Sequence, residues 1–242
     1  MATFDQAEYQ VRFEWGENGV SELAPISEYV VIIDVLSFTS CVDVAASRGA
    51  TVFPFGWKDE RAEQFADRQQ AILASRRGQG EFSLSPPSLA SLPTRSRIVL
   101  PSPHGSTLTD KAAKYAKVLA GSIRNRTAVA EYINRQNGSV TVIACGERWH
   151  SNDHLRPALE DHLGAGAIVQ KLTGSKSPEA TSAESLFSAS HSKLAETIAR
   201  CSSGKELIEK GFPDDVAYAS DLDTSHSVPL LVDNAYFDQS VL

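Results

Sequence analysis

Four short stretches of this sequence set carboxylates, hydroxyls, a histidine and arginines beside small residues that let a backbone turn sharply. Asp34-Val35-Leu36-Ser37-Phe38-Thr39-Ser40 puts a carboxylate ahead of the hydroxyls of Ser37, Thr39 and Ser40. Pro101-Ser102-Pro103-His104-Gly105-Ser106-Thr107 sets His104 and Gly105 ahead of Ser106 and Thr107. Gly121-Ser122-Ile123-Arg124-Asn125-Arg126-Thr127 carries two arginines around Asn125, and Cys145-Gly146-Glu147 ends in a carboxylate. A fifth feature is Glu160-Asp161, followed by Gly164-Ala165-Gly166-Ala167. These are the residue types that phosphoryl chemistry uses. Mg²⁺ takes one or two carboxylates, waters and substrate phosphate oxygens, which suits Asp34, Glu160 and Asp161. Hydroxyls and free N–H groups at a helix start attract phosphate, which suits Ser37, Thr39, Ser40, Ser106 and Thr107. Gly105 admits close backbone approach to an anion. Arginine makes bidentate phosphate contacts, and of the two here Arg124 is preferred for the site. His104 can donate to phosphate or carry a proton, and Glu147 can bind metal or water.

Each feature also has a plainer reading. Thr39 or Ser40 can simply cap a helix, with Asp34 an ordinary turn residue. His104 can be a structural turn histidine, and one of Arg124 and Arg126 can sit in a surface ion pair. Glu160 and Asp161 can be solvent-face charges. Adjacent helix residues point about 100° apart, so at most one of them faces a given metal squarely. Cys145 fails as a phosphatase nucleophile of the CxxxxxR kind, because Ser151 occupies the arginine position; it reads as a small buried residue. A DxDxT aspartyl phosphatase is disfavoured too, since Leu36 stands where the second aspartate belongs. It is the combination of anion-friendly turns with carboxylates for a hard cation that points to phosphoryl transfer.

Such residues need strands that end beside them, because ligands of open α/β sheets collect beyond the carboxyl ends of the strands. Tyr29–Leu36 is a β-branched run and reads as a buried strand, with a helix over Thr39–Ser47. Thr51–Phe55 reads as a strand. Lys58–Ala74 reads as a helix with Phe65, Ile72 and Leu73 on its apolar stripe. Further strands are expected at Val11–Trp15 (an edge), Arg97–Leu100, Lys117–Leu119, Val140–Ala144 and Val228–Val232. Helices are expected at Thr107–Tyr115, Thr127–Arg135, Leu155–Leu172, Leu186–Ile198 and Gly204–Lys210. Arg76–Thr94 and Thr173–Ala183 read as loops. The alternation predicts an α/β fold with a mixed, mostly parallel sheet and covering helices. One domain over 1–242 is expected, open to division into two lobes joined by a loop near 76–96.

Bulk properties narrow the partners. The net charge of -7 disfavours nonspecific nucleic-acid binding, which needs a basic footprint. The apolar stretch at Tyr29–Leu36 is interrupted by Asp34 and falls far short of a membrane span. Residues Met1–Gln10 carry Asp5 and Glu8 and no apolar run, unlike a signal peptide. The three cysteines, Cys41, Cys145 and Cys201, are odd in number and widely spaced, which argues against a disulfide framework or zinc knuckle. A cytoplasmic protein with a small phosphorylated substrate is expected; a homo-oligomer is left open.

The order VVIIDVLSFTS, a helix ending in RGA, PSPHGST, GSIRNR, VTVIACGE, LEDHLGAGAI and SGKELIEKGFPDDV resembles the 2-phosphosulfolactate phosphatase family from roughly Tyr29 to Val232. The resemblance implies an α/β fold peculiar to that family, Mg²⁺ dependence and hydrolysis of a phosphate monoester. The substrate it implies is 2-phosphosulfolactate, of coenzyme M biosynthesis. Carried over by motif, it implies site residues Asp34, Thr39, Ser40, His104, Gly105, Ser106, Asn125, Glu147, Glu160 and Asp161. There are two departures. Ser37 stands where the family commonly has arginine, and His104 where it commonly has asparagine. With less fixed positive charge, a doubly anionic substrate is expected to bind less well, with Arg124 and Arg126 the next candidates for its cation.

Two hypotheses of different class follow. In the first, a Mg²⁺-dependent phosphatase uses either a metal-bound water or the Asp34 carboxylate as nucleophile. In the second, the chain is a non-catalytic binding protein for a phosphorylated or sulfonated metabolite. Asp34, Glu160 and Asp161 argue against the second, since an anion binder gains nothing from carboxylates unless a cation lies between.

Overall fold

The computed structural model describes residues 4–56 and 59–240. In chain order the elements are β1 (Val11–Trp15), α1 (Gly16–Leu23), β2 (Tyr29–Ile33), α2 (Phe38–Ser47), β3 (Thr51–Phe55), α3 (Glu60–Gln69), β4 (Ile72–Leu73), α4 (Pro86–Leu89), β5 (Arg97–Pro101), α5 (Gly105–Ala112), β6 (Lys117–Gly121) and α6 (Arg126–Gln136). There follow β7 (Val140–Ala144), β8 (Glu147–Arg148), β9 (Leu155–Arg156), α7 (Leu159–Lys171), α8 (Pro178–Ser190), α9 (Leu194–Arg200), α10 (Ser202–Glu209), α11 (Pro213–Ala219), β10 (Pro229–Val232) and β11 (Ala235–Asp238).

The main sheet has the order β1-β7-β2-β6-β10-β11-β3-β5-β4. β1, β7, β2 and β6 are mutually parallel, as are β3, β5 and β4. The β10–β11 hairpin joins the two groups and is antiparallel to both neighbours. The expected mixed, mostly parallel sheet with covering helices is therefore present. β2 is buried along its whole length because both its faces are covered. Val31 and Ile33 pack with residues of α6, α7 and α8, while Val30 and Ile32 pack with residues of α2 and α5. The small residues of α7 admit α8 closely, and a Cβ on Gly166 would fall 2.0 Å from the Ala183 carbonyl oxygen. No helix among the described residues is long and apolar enough to cross a membrane.

Several boundaries depart from the sequence reading for local reasons. The expected helix start at Lys58 lies outside the described residues. The Asp59 side chain caps α3 by accepting from the Arg61 N–H. The helix stops at Gln70, which adopts a left-handed conformation, so Ile72 and Leu73 pair as β4 with β5 rather than continuing a stripe. Leu155 and Arg156 are not helical: Pro157 disfavours helical backbone at the residue before it, and α7 begins only at Leu159. α8 begins inside the expected loop. Ser177 caps it by accepting from the Ala180 N–H at 3.0 Å, and Pro178 takes the first helical position. α1, α4, α11, β8, β9 and β11 were not anticipated, and the helix expected at Leu186–Ile198 is divided between the end of α8 and the start of α9.

Candidate active site

Asp34 follows the central strand β2, and its carboxylate is fixed from two sides. Its Oδ1 accepts the Phe38 N–H of α2 at 3.1 Å, and the Gly105 N–H of α5 also donates to the carboxylate. Gly105 is required there: a Cβ would lie 2.1 Å from Phe38 Cδ1 and 3.0 Å from Asp34 Oδ2. The Thr39 hydroxyl donates to the Asp34 carbonyl and accepts its N–H, both at 2.9 Å. The Ser40 hydroxyl donates to the Val35 carbonyl at 2.8 Å.

Glu147 arrives from the next strand, β7, through a turn at Gly146. That glycine has φ +66°, and a Cβ there would meet the Arg156 carbonyl oxygen at 2.9 Å. β8 and β9 pair Glu147 directly with Arg156. The Glu147 Oε2 lies 3.6 Å from His104 Nδ1. Asp161, in the first turn of α7, ties these turns together. Its Oδ1 accepts the Val35 N–H and its Oδ2 the Gly146 N–H, both at 2.8 Å. Glu160 is buried beside it and accepts from the Cys201 thiol at 3.2 Å.

The electrostatics of this cluster are those of carboxylates short of cations. Burial raises the Asp34 carboxyl, and Glu160 adds to it, against the pull of His104 and the two N–H donors. Burial, then Asp34 and Glu160, push Glu147 up to about 7, with Arg156 opposing. Asp161 is raised well above the usual carboxylate range by burial, then by Glu160 and Asp34. The Cys145 thiol is also raised well above its ordinary value by burial and by the same carboxylates, so it stays protonated and is a poor nucleophile. Burial and Glu160 likewise push Cys201 up to about 12.

The structure therefore brings Asp34, His104, Gly105, Glu147, Glu160 and Asp161 together. Thr107 lines the cavity beside His104, Cys145 and Glu147, which has a volume of about 510 Å³. Other expected phosphate contacts are used elsewhere. Thr39 and Ser40 bind backbone, as does Ser106, which accepts the Phe55 N–H at 3.1 Å. Asn125 is fully buried, bonded to Ser122, the Ala120 carbonyl and the Ser227 carbonyl. Arg124 is not at the site either. Its Nε donates to Asp43, its Nη1 to the Tyr218 carbonyl and Asp221, and its guanidinium lies over the Tyr218 ring. Arg126 pairs with Asp223 and Gln170.

The sequence reading missed Arg77, whose Nη2 donates to the Ser37 hydroxyl at 2.8 Å. A cation thus does stand beside Ser37, supplied from 40 residues away along the chain. The only signal was the Arg76-Arg77 pair in a loop read for its glycines and prolines. Arg156 and Asp215 were missed as well.

Among the described residues, no three His, Cys, Asp or Glu side chains form a group with metal-binding geometry. A Mg²⁺ ion asks for less, one or two carboxylates completed by water and phosphate oxygens. The uncompensated repulsion among Asp34, Glu147, Glu160 and Asp161 fits such an ion. Asp161 and Asp34 each accept two backbone N–H groups, but those on Asp161 come from two different turns and tie them together, while Asp34 sits at the strand exit beside His104 and Glu147, so Asp34 with Glu160 is the better-placed pair.

Comparison with known proteins adds to this geometry. The sequence model described as 2-phosphosulpholactate phosphatase matches residues 19–234. A probable 2-phosphosulfolactate phosphatase of Gloeobacter violaceus is 31% identical over 220 residues, 86% of this chain and 91% of the relative. A probable 2-phosphosulfolactate phosphatase of Thermotoga maritima is 29% identical over 219 residues, covering 85% of this chain and 90% of its own. The 2-phosphosulfolactate phosphatase of Methanothermobacter thermautotrophicus is 27% identical over 209 residues, covering 84% and 86%.

Proposed function

We propose that this chain, which belongs to the 2-phosphosulpholactate phosphatase family, hydrolyses 2-phosphosulfolactate to sulfolactate and phosphate with the help of Mg²⁺. The observation that carries the reading is the convergence of Asp34, Glu147 and Glu160 beside the first turn of α5. Asp34 and Glu160 would hold the ion. Bound there, it would neutralise phosphate oxygens and ease charge development in the transition state. The first turn of α5, with the Thr107 hydroxyl, offers donors for the remaining phosphate oxygens. Water adds to phosphorus, the bond from phosphorus to the ester oxygen breaks, and that oxygen leaves needing a proton. Glu147, which burial raises to about 7, lines the cavity and is placed to supply that proton, and His104 is placed to exchange protons with it. The reading keeps the enzyme in the cytoplasm, where its buried thiols stay reduced.

Phosphate release from 2-phosphosulfolactate tests the proposal. Release with Mg²⁺, its abolition by EDTA and its return on adding Mg²⁺ are expected. Full activity in chelator would remove the metal from the account. No release from 2-phosphosulfolactate or from a panel of other monoesters would leave a binding protein.

The role of Glu147 predicts a pH profile. As an acid with a raised pKa, it holds its proton below about 7 and loses it above. Mg²⁺ on Asp34 and Glu160 would relieve part of the repulsion that raises Glu147, so turnover is expected to fall as pH rises through a value below about 7, and Glu147→Gln to be slow at every pH without that limb. A variant that keeps the wild-type limb assigns the proton to another group.

A further inference from the structure

A second cavity, about 390 Å³ in volume, opens beside the carboxylate cluster and is lined by Leu36, Arg76, Arg77, Glu147, Lys210 and Phe212 among others. Glu147 is the group it shares with the cluster; the cations Arg76, Arg77 and Lys210 and a second carboxylate, Glu206, stand on its other walls. Lys210 is exposed and ion-paired to Glu206, and Arg76 is exposed. Arg77 is different, because it is built into the fold. Its side chain is only 21% exposed. Its Nε donates to Asp215 at 2.5 Å, its Nη2 donates to the Ser37 hydroxyl at 2.8 Å and to the Leu84 carbonyl at 2.5 Å, and its guanidinium lies 5.7 Å from the Phe212 ring centre. Asp215 is itself buried and accepts from the Ser85 hydroxyl at 2.5 Å. These bonds engage Nε and Nη2, while Nη1 makes no hydrogen bond among the described residues.

A guanidinium clamped this way is a fixed cation with donors in hand. The carboxylate cluster cannot supply that, since it repels any anion not carried by a metal. A substrate with a second anionic group needs a cation outside the cluster but within a few bonds of the ester. We propose that this cavity is the subsite for that second group, a sulfonate or carboxylate, and that Arg77 is the residue selecting it. With Nε and Nη2 held by Asp215, Ser37 and Leu84, the two N–H groups of Nη1 are the donors left to the oxyanion, fixed in place as a lysine ammonium on a flexible stem would not be. The inference rests on reading the carboxylate cluster as the phosphoryl site.

The test compares ethyl phosphate with its 2-sulfonated analogue and with phosphoglycolate, in wild type, Arg77→Lys, and the double variant Arg77→Met with Asp215→Asn. The double variant removes both partners of the buried pair, so no carboxylate is left uncompensated. Wild type is expected to prefer the analogue whose tail matches the subsite, and the preference tells sulfonate from carboxylate. In either variant the kcat/KM ratio over ethyl phosphate should fall by about ten- to a hundredfold, the scale of a lost charge-assisted bond. A folded variant that keeps the full preference overturns the subsite. Calorimetric titration with 2-hydroxyethanesulfonate and with glycolate separates this from the activity. If no monoester is hydrolysed, the phosphatase reading fails, while binding by wild type that is lost in the variants still supports the cavity. Equal binding by wild type and variants, or no binding of either anion, overturns it.

Discussion

Asp34→Asn is expected to leave the protein folded and to lower turnover by about a hundredfold or more, the usual scale for a group that organises transition-state charge. The fold should survive because asparagine keeps the shape and one oxygen for the Phe38 N–H. It cannot serve Gly105 equally well, since its amide nitrogen would turn donor towards donor. The loss should come from charge. Asp34 follows the buried strand β2, where an ionised carboxylate is costly unless a cation or hydrogen bonds compensate it. The substitution also reports on its neighbour. Asp34 helps push Glu147 up to about 7, so its neutralisation should move the Glu147 titration down, measurable by carbon NMR of labelled glutamate. A folded variant of nearly full activity, with Glu147 titrating as before, would make Asp34 a structural residue.

Asp34, His104 and Glu147 were legible because each follows a strand the sequence marks clearly. Val140–Ala144 appears with the boundaries expected, and β2 and β5 differ only at their ends. The hydroxyls were harder. Ser40 and Ser106 are the residue types that bind phosphate, but their partners are carbonyls and N–H groups of nearby turns, and residue type alone does not tell these uses apart. Long-range pairing was invisible. Arg124 is claimed by Asp43, 81 residues earlier, and Arg77 by Asp215, 138 residues later. Ser37 looked like a lost cation because its partner sits in a segment with no periodicity to place it. α11 was legible and overlooked: Pro213 at its first position and Asp214 and Asp215 in its first turn form a recognisable helix start.

The largest effect on stability is expected at Asp161, a residue the sequence offered as a metal ligand. Its two oxygens satisfy the buried N–H groups of Val35 and Gly146, one in the turn after β2 and the other in the turn after β7. Asp161→Ala leaves both donors unpaired, at about 1–3 kcal/mol each. It should also free the Gly146 turn that aims Glu147, so activity should drop along with stability. The pH dependence separates this from a generic core defect. Burial and neighbouring carboxylates raise the Asp161 pKa in the folded state, so between its unfolded and folded values the folded protein holds a proton that the unfolded chain has released. Wild-type stability from this group therefore declines as pH rises above about 4, where an unfolded aspartate ionises. The alanine variant lacks that decline, and removing Asp161 also eases the strain on Glu147, which acts in the same direction. The destabilisation should thus be greatest near pH 5 and smaller at pH 8, read from urea unfolding at both. A penalty that grows with pH would mean that Asp161 is ionised and held by a cation in the folded protein, which would return it to the metal site.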